Sequence, residues 1–92
     1  NVRVVRKIAP SVPVLEINVL GLTVEEALYE VDNFIDKAVT DNLEEVKIIH
    51  GVGTGRLRKA IWEHLKRHKN VGSLRLGKYG EGETGVTFVK LK

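Results

Sequence analysis

The ten residues from 50 to 59, HGVGTGRLRK, have the types and spacing that suit the binding of a phosphate group. Glycine recurs at every second position after the histidine, and glycine permits positive φ angles and a close backbone approach that a Cβ would block. A basic run follows where periodicity predicts the start of a helix, whose unpaired amides carry partial positive charge. The pattern predicts a site for a nucleic-acid backbone at Gly51, Gly53, Thr54, Gly55, Arg56, Arg58 and Lys59.

This glycine pattern differs from two familiar phosphate-binding motifs. A P-loop requires G-x-x-x-x-G-K-[ST], whereas Arg56 and Leu57 follow Gly55 here. The dinucleotide fingerprint has a different glycine spacing and belongs to a longer, doubly wound sheet. For a glycine-rich connection alone, a tight turn with nothing bound is the alternative. The histidine before the loop and the basic cluster after it together favour the phosphate site.

Two roles are open for His50, which stands immediately before the glycines. Its imidazole titrates near neutral pH and could exchange a proton with a scissile phosphate. Alternatively, the ring forms a hydrogen bond with a neighbouring backbone group and holds the turn. His64 and His68 have the i, i+4 spacing of a helical metal chelate, but no third ligand lies nearby in sequence. We therefore predict a surface or half-buried role for that pair and no metal site.

The elements that position these residues can be predicted from hydrophobic periodicity. Thr23 and Glu26 form a capping box that opens one helix, and a second helix begins near Arg56. Short apolar or alternating segments predict strands at 14–19, 46–49, 71–76 and 86–91. The order β-α-β-α-β-β predicts an α/β two-layer sandwich, with a four-stranded mixed sheet and both helices on one face. The other face is expected to be open to solvent or a ligand.

Residues 1–13 contain two prolines and are predicted to be a linker or the tail of an upstream domain, with 14–92 as the domain itself. The valines at positions 2, 4 and 5 could form a short strand within that segment.

Composition and charge narrow the class of partner. The chain of 92 residues has no cysteine, which excludes disulfides and is typical of a cytoplasmic protein. It has no apolar run long enough to cross a bilayer, so no membrane partner is expected. Residues 1–45 carry 4 basic and 9 acidic side chains, whereas residues 46–92 carry 11 basic and 3 acidic ones. A net charge of −5 in one half and +8 in the other indicates a polyanionic partner for the basic side.

Aromatic side chains are too few to predict extensive base recognition. Of the five, only Tyr79, beside Lys78 in a glycine-rich loop, is placed to stack on a base, and the other four are expected to pack. Recognition should then depend on phosphates and nucleic-acid shape, with Lys78 and Tyr79 as additional contacts.

Three segments resemble the small MutS-related (Smr) domain family. They are GLTVEEA at 21–27, HGVGTG at 50–55 with Leu57 and Arg58 after it, and GVT at 85–87. The likeness extends over residues 14–92 and is strongest to the Smr domain that ends a bacterial MutS paralogue linked to suppressing recombination. The resemblance implies a fold similar to the C-terminal domain of a translation initiation factor. It also implies strand order 1-2-4-3 with the last strand antiparallel.

The resemblance also implies a function. Smr domains bind DNA or RNA, and several are endonucleases that nick branched or double-stranded DNA or cut messenger RNA at stalled ribosomes. Their activity is usually helped by a divalent cation, so magnesium or manganese is expected if this chain is a nuclease, with no ion bound tightly. The parent protein would contribute upstream ATPase domains that could dimerise.

One part of the family pattern is different in this chain. The family's Leu-Asp-Leu-[His/Arg]-Gly element reads INVLG at 17–21, so Asn18 replaces the acid and Leu20 replaces the basic residue. An amide neither takes a proton at neutral pH nor binds a hard cation well. Glu16 lies two residues earlier and could partly substitute. Two functions stay open: a nicking endonuclease with His50, Glu16 and Asn18 as candidate catalytic residues, or a docking module for DNA, structured RNA or the ribosome that does not cut.

Overall fold

Five strands form a single mixed sheet in the computed structural model, which describes residues 2–6 and 13–92. In chain order the strands are β1 Val2–Arg6, β2 Pro13–Asn18, β3 Glu45–Ile49, β4 Val71–Leu76 and β5 Val86–Leu91. The helices are α1 Val24–Thr40, between β2 and β3, and α2 Arg56–Leu65, between β3 and β4. A short 3₁₀ turn, Glu83–Gly85, precedes β5. The predicted β-α-β-α-β-β order is confirmed for residues 13–92.

The strands lie in the order β1-β2-β3-β5-β4. β2 and β3 are parallel, because α1 connects them as a crossover, and β5 runs antiparallel to both of its neighbours. Within the four predicted strands this is the order 1-2-4-3 with an antiparallel last strand, as the family resemblance implies. β3 is the middle strand, so the segment after it, 50–55, lies at the middle of the sheet edge that is formed by the ends of β2 and β3 and the start of β5.

The N-terminal segment adds a strand that the four-stranded prediction does not contain. β1 pairs antiparallel with β2, from Val2 opposite Ile17 to Arg6 opposite Pro13. The short strand suggested by the valines therefore forms, and it extends this sheet at the β2 edge. Residues 1 and 7–12 of the predicted linker lie outside the described part of the chain.

The hydrophobic core lies between the sheet and both helices. Alternate residues of the strands, such as Ile17 and Ile48, contact the apolar stripe of α1 and the buried side chains Ile61 and Leu65 of α2. Because both helices share one cluster with one face of the sheet, they cover the same face, as predicted. Burying this stripe is what holds the two helices, and hence the start of α2, in place.

The face of the sheet away from the helices is less open than its alternating pattern predicts. Phe88 on β5 is only 6% exposed, although its neighbours in register are Lys47 and Arg75. The Lys47 ammonium lies 5.7 Å from the centroid of the Phe88 ring and the Arg75 guanidinium 4.3 Å from it. The aliphatic stems of these cations cover the ring while their charges stay above it.

α1 begins where the sequence predicts. The hydroxyl of Thr23 accepts a hydrogen bond from the Glu26 amide at 3.1 Å, and the Glu26 carboxylate accepts one from the Thr23 amide at 3.0 Å. Both bonds satisfy amides that have no partner within the helix, which is why this box determines the first helical residue.

We expect Thr23→Ala to lower the free energy of unfolding by about 1 kcal/mol, because it removes the hydroxyl that caps the Glu26 amide. The measurement is urea denaturation followed by circular dichroism. Thr40→Ala is the matched control, because the Thr40 hydroxyl bonds only to the carbonyl oxygen of Asp36 in the last turn of the same helix. Equal losses in the two variants would contradict the capping role.

Candidate nucleic-acid interface

The glycines of the loop 50–55 adopt the conformation that their spacing predicts. Gly51, Gly53 and Gly55 have φ angles of +80°, +37° and +82°. A Cβ on Gly51 would lie 2.5 Å from the Leu20 side chain, so a larger residue there would have both strained φ and a steric conflict. The turns let the chain pass from the end of β3 directly into α2. They leave an open concavity of about 410 Å³ lined by residues 50–57.

The start of α2 has the electrostatics of an anion site. Gly55 is its N-cap and has no side chain to accept a hydrogen bond from the first-turn amides. The first turn carries no acidic residue, whereas Arg56, Arg58 and Lys59 all lie within it or directly after it. The helix dipole and three full positive charges therefore have the same sign at this point, which is unfavourable unless an anion is nearby.

The glycine-rich loop 77–85 lies at the same sheet edge. Its last residue, Gly85, accepts hydrogen bonds from the amides of His50 and Gly51 at 3.1 and 2.9 Å. The two loops therefore form one continuous surface. The predicted contacts Lys78 and Tyr79 are carried on the second loop, and the Tyr79 ring is 95% exposed.

Glu81 organises the loop 77–85 from within. Its carboxylate accepts hydrogen bonds from the Arg75 guanidinium at 2.8 and 3.2 Å and from the Lys78 amide at 2.8 Å. The Arg75 hydrogen bonds, and secondarily the Lys78 amide, lower the pKa of Glu81 to about 2. Arg75 is therefore neutralised within the protein and is a poor candidate for binding a phosphate.

His50 is almost fully buried, with 4% of its surface exposed. Its Nδ1 lies 3.0 Å from the carbonyl oxygen of Gly51, and its Nε2 lies 2.7 Å from the Thr87 hydroxyl oxygen. The same hydroxyl oxygen accepts a hydrogen bond from Trp62 Nε1 at 2.8 Å. The geometry matches the second of the two predicted roles, in which the ring holds the turn, and the catalytic role stays a prediction.

Asn18 and Leu20 lie beside the loop, and each has a local structural role. The Asn18 Oδ1 accepts a hydrogen bond from the Leu20 amide at 2.9 Å, which shapes the turn between β2 and α1. Leu20 is 53% exposed, and its side chain lies against Gly51. Because Asn18 pairs in register with Ile49, it is one residue from His50 across the sheet. Asn18 is therefore the nearer of the two β2 candidates to the loop.

Glu16 lies away from the loop. It pairs in register with Lys47, three residues before His50, which corresponds to about 10 Å along β3. Its carboxylate is 3% exposed and lies 3.7 Å from the Lys47 ammonium. The structure thus places His50 and the basic start of α2 at the edge where β2 ends. Asn18 lines a separate concavity beside the start of α1, and Glu16 lies further from the loop.

The residues that the structure describes, 2–6 and 13–92, contain no group of three or more His, Cys, Asp or Glu side chains that could hold a metal ion. His64 instead lies 2.8 Å from Asp32 of α1, and the His68 Nδ1 accepts a hydrogen bond from the Asn70 amide at 3.1 Å. These histidines connect α2 to its surroundings at the end remote from the loop. The side chains beside the loop do not fit a magnesium or manganese site, and we derive no step through a metal ion.

Two expectations about side-chain surroundings are corrected or extended by the structure. Tyr29, expected to pack, is 67% exposed, because it falls on the polar outer face of α1. The structure also adds two residues around His50: the Thr87 hydroxyl contacts the His50 ring, and Trp62 donates to that hydroxyl. In the sequence, Thr87 is only part of the GVT motif and Trp62 is only one of the aromatic side chains expected to pack. The only sequence signal for these contacts is polarity: a threonine stands between apolar neighbours in β5, and an indole N–H needs an acceptor when it is buried.

In the described part of the chain, no helix has the length and apolar character needed to cross a bilayer.

Comparison with known proteins identifies the family. The Smr domain family matches residues 17–92. Over 76 residues, 83% of this chain, the sequence is 57% identical to "Endonuclease MutS2" of Clostridium beijerinckii. It is 54% identical over 78 residues to the protein of the same name from Caldicellulosiruptor bescii. The matched segment is 10% of the length of each of these relatives.

Solved structures support the same assignment. The Smr domain of Thermus thermophilus MutS2 has a TM-score of 0.82 and 47% sequence identity, over 84% of this chain and 96% of that one. YdaL, a stand-alone small MutS-related protein from Escherichia coli, has a TM-score of 0.79 and 29% identity, over 84% of this chain and 63% of that one. A four-stranded mixed sheet with two helices on one face is therefore shared with both. From the family match, the sequence identity and the fold together, this chain belongs to the Smr domain family.

Proposed function

We propose that this domain binds the phosphate backbone of DNA or structured RNA at the surface formed by the loop 50–55 and the first turn of α2. The observation that carries the proposal is the acid-free start of α2, whose N-cap residue Gly55 makes no side-chain hydrogen bond, with Arg56, Arg58 and Lys59 beside it. One first-turn amide, that of Arg56, donates to the Thr54 hydroxyl at 3.3 Å. Like charges placed around a helix N-terminus repel one another, and an anion relieves that repulsion. The relatives are named "Endonuclease MutS2", and an endonuclease acts on a nucleic acid, which favours a polynucleotide as that anion.

The geometry also suggests how such a backbone would be recognised. Arg56 is exposed at the mouth of the concavity, Lys59 is exposed three residues further along α2, and Lys78 and Tyr79 are exposed on the adjoining loop. Because Gly85 joins the two loops by hydrogen bonds, the cations of both can contact one strand. Contacts of this kind read charge and shape rather than base identity. We expect such backbone contacts to serve either suppression of recombination or docking on a ribosome.

We expect the double variant Arg56→Gln/Lys59→Gln to bind branched DNA and structured RNA about tenfold more weakly at low salt. Its slope of log affinity against log salt concentration should decrease by about 2, because two fewer counterions are released. The measurement is fluorescence anisotropy over a series of salt concentrations, with a forked DNA and a stem-loop RNA as probes.

Arg67→Gln/Lys69→Gln is the matched control for that variant. It removes the same charge from the segment that follows α2, about 15 Å from the first turn, and both side chains are exposed. The control should keep an affinity within about twofold of the unmodified protein. Equal losses in the two double variants would show general attraction of a basic surface and contradict a site at the loop. An affinity independent of salt would contradict backbone binding altogether.

Endonuclease activity is the second candidate function, and the printed name of the relatives, "Endonuclease MutS2", favours it. Within this chain the arrangement supports such activity less directly than it supports binding. Asn18 stands where the family pattern has an acid, and Glu16 lies about 10 Å along the sheet from the loop. If the domain cuts, its rate should then be limited by the missing carboxylate at position 18.

We expect Asn18→Asp to nick branched DNA faster than the unmodified domain in the presence of magnesium or manganese. A carboxylate at position 18 can accept the hydrogen bond from the Leu20 amide as Asn18 does, and it can also take a proton or bind a hard cation. Nicking is measured on a supercoiled plasmid that contains a cruciform. Asn33→Asp on the exposed face of α1 is the control for the added charge. If Asn18→Asp and Asn33→Asp nick at the same rate, position 18 does not limit cleavage.

A further inference from the structure

Three side chains from three elements form a hydrogen-bonded chain that ends at the loop 50–55. Trp62 of α2 donates to the Thr87 hydroxyl of β5 at 2.8 Å, and that hydroxyl lies 2.7 Å from Nε2 of His50. The other ring nitrogen, Nδ1, lies 3.0 Å from the carbonyl oxygen of Gly51. Thr87 is fully buried and His50 is 4% exposed, so water is a poor substitute for these bonds.

The groups at the two ends of this chain determine where each proton lies. An indole N–H can only donate, and a carbonyl oxygen can only accept. Because the Gly51 carbonyl oxygen only accepts, the proton of the neutral imidazole is on Nδ1 and is donated to Gly51. Nε2 then accepts the Thr87 hydroxyl hydrogen, and the Thr87 oxygen accepts from Trp62.

A protonated ring would disrupt this arrangement. Its Nε2–H and the Trp62 N–H would both point at the Thr87 oxygen, and the hydroxyl hydrogen would need another acceptor inside the core. Burial lowers the pKa of His50 below its ordinary value of 6.5, and the nearby Arg58 charge lowers it further, although the hydrogen bond to Gly51 opposes both effects. The neutral ring agrees with the geometry.

We propose that His50 is a positioning residue of the phosphate-binding loop, and that Thr87 and Trp62 hold its ring in the Nδ1–H form. The inference rests on the proposed function, because it assigns part of the same site. Gly51 is thereby held on both sides: its amide donates to the Gly85 carbonyl at 2.9 Å and its carbonyl accepts from His50. The loop that leads to the first turn of α2 thus starts from a fixed residue. A buried ring with both nitrogens hydrogen-bonded inside the protein does not itself contact a phosphodiester.

The pair Thr87→Val and Thr87→Ser separates the hydroxyl from the volume of the side chain. Valine keeps the branched shape and removes the donor to His50, whereas serine keeps the hydroxyl and removes a methyl group. Nitrogen chemical shifts of the imidazole, measured by NMR, report which ring nitrogen carries the proton. We expect a protonated Nδ1 and a hydrogen-bonded Nε2 in the unmodified domain and in Thr87→Ser, and an Nε2 chemical shift without that hydrogen bond in Thr87→Val.

The same variants should differ in nucleic-acid binding. Thr87→Val should bind the forked DNA roughly fivefold more weakly, because the loop adopts its binding conformation less often, and Thr87→Ser should restore the affinity. Thr84→Val, on the exposed turn before β5, is the control for the same substitution elsewhere. Trp62→Phe keeps an aromatic ring and removes only the N–H donor, so it tests the chain of bonds if Thr87→Val does not fold.

Three results would overturn the proposal. They are a proton on Nε2 in the unmodified domain, an Nε2 chemical shift that neither Thr87→Val nor Trp62→Phe changes, and an altered Nε2 shift with unchanged affinity. The tautomer is measured without nucleic acid, so failure of every form of the domain to bind DNA or RNA overturns the proposed function instead.

A neutral, buried His50 also predicts how stability depends on pH. Because its pKa is below 6.5 in the folded domain, the unfolded chain binds a proton over a pH range in which the folded domain does not. The free energy of unfolding should therefore decrease as the pH falls below 6.5 and stop decreasing at the folded-state pKa. Urea denaturation of the unmodified domain and His50→Gln from about pH 8 to about pH 5 measures this contribution as the difference between the two slopes. Equal slopes would contradict the neutral ring.

Discussion

The restraint of Gly51 by two hydrogen-bonding partners and one packing neighbour is the constraint on which the candidate site depends. Its φ of +80° is a conformation that other residues rarely adopt, and the Leu20 side chain occupies the place of a Cβ. The amide and carbonyl of Gly51 are bound by Gly85 and His50, respectively. Small size at this position and hydrogen bonds on both sides together direct the chain from β3 into α2. Without that direction the start of α2 would not face the sheet edge where the second loop lies.

Acidic and basic side chains lie on different elements of this domain. The acidic side chains of the first half lie largely on the outer face of α1, whereas cations gather at the start and end of α2. On the sheet face, Lys47 lies near Glu16 and Arg75 is bonded to Glu81, so these cations are compensated within the protein. The cations at the start of α2 add to the field of the helix. This difference, rather than the net charge of +3, is what distinguishes the proposed interface from the rest of the surface.

Much of the fold could be predicted from sequence, because its signals are local. The capping box at Thr23, the alternation in β2 and the positive-φ glycines each depend on residues a few positions apart. The pairing of β1 with β2 could not be predicted as reliably, because it depends on whether residues 2–6 fold back onto β2, which no local pattern determines. The hydrogen-bond chain was also out of reach. His50, Trp62 and Thr87 belong to three different elements, and no periodicity records that their polar atoms meet.

The position of His50 shows why a motif alone does not assign a chemical role. A histidine before a glycine-rich loop is compatible with proton transfer, and its side chain is of the right type for that chemistry. A general acid or base must also reach the atom it protonates or deprotonates, and here both ring nitrogens are directed at protein groups in the interior. The same ring can still be essential, because the carbonyl it holds precedes the first-turn amides of the proposed phosphate site. A loss of activity on replacement of His50 would be expected for either role, so the two roles are separated by whether Nε2 can reach the substrate or stays bonded to Thr87.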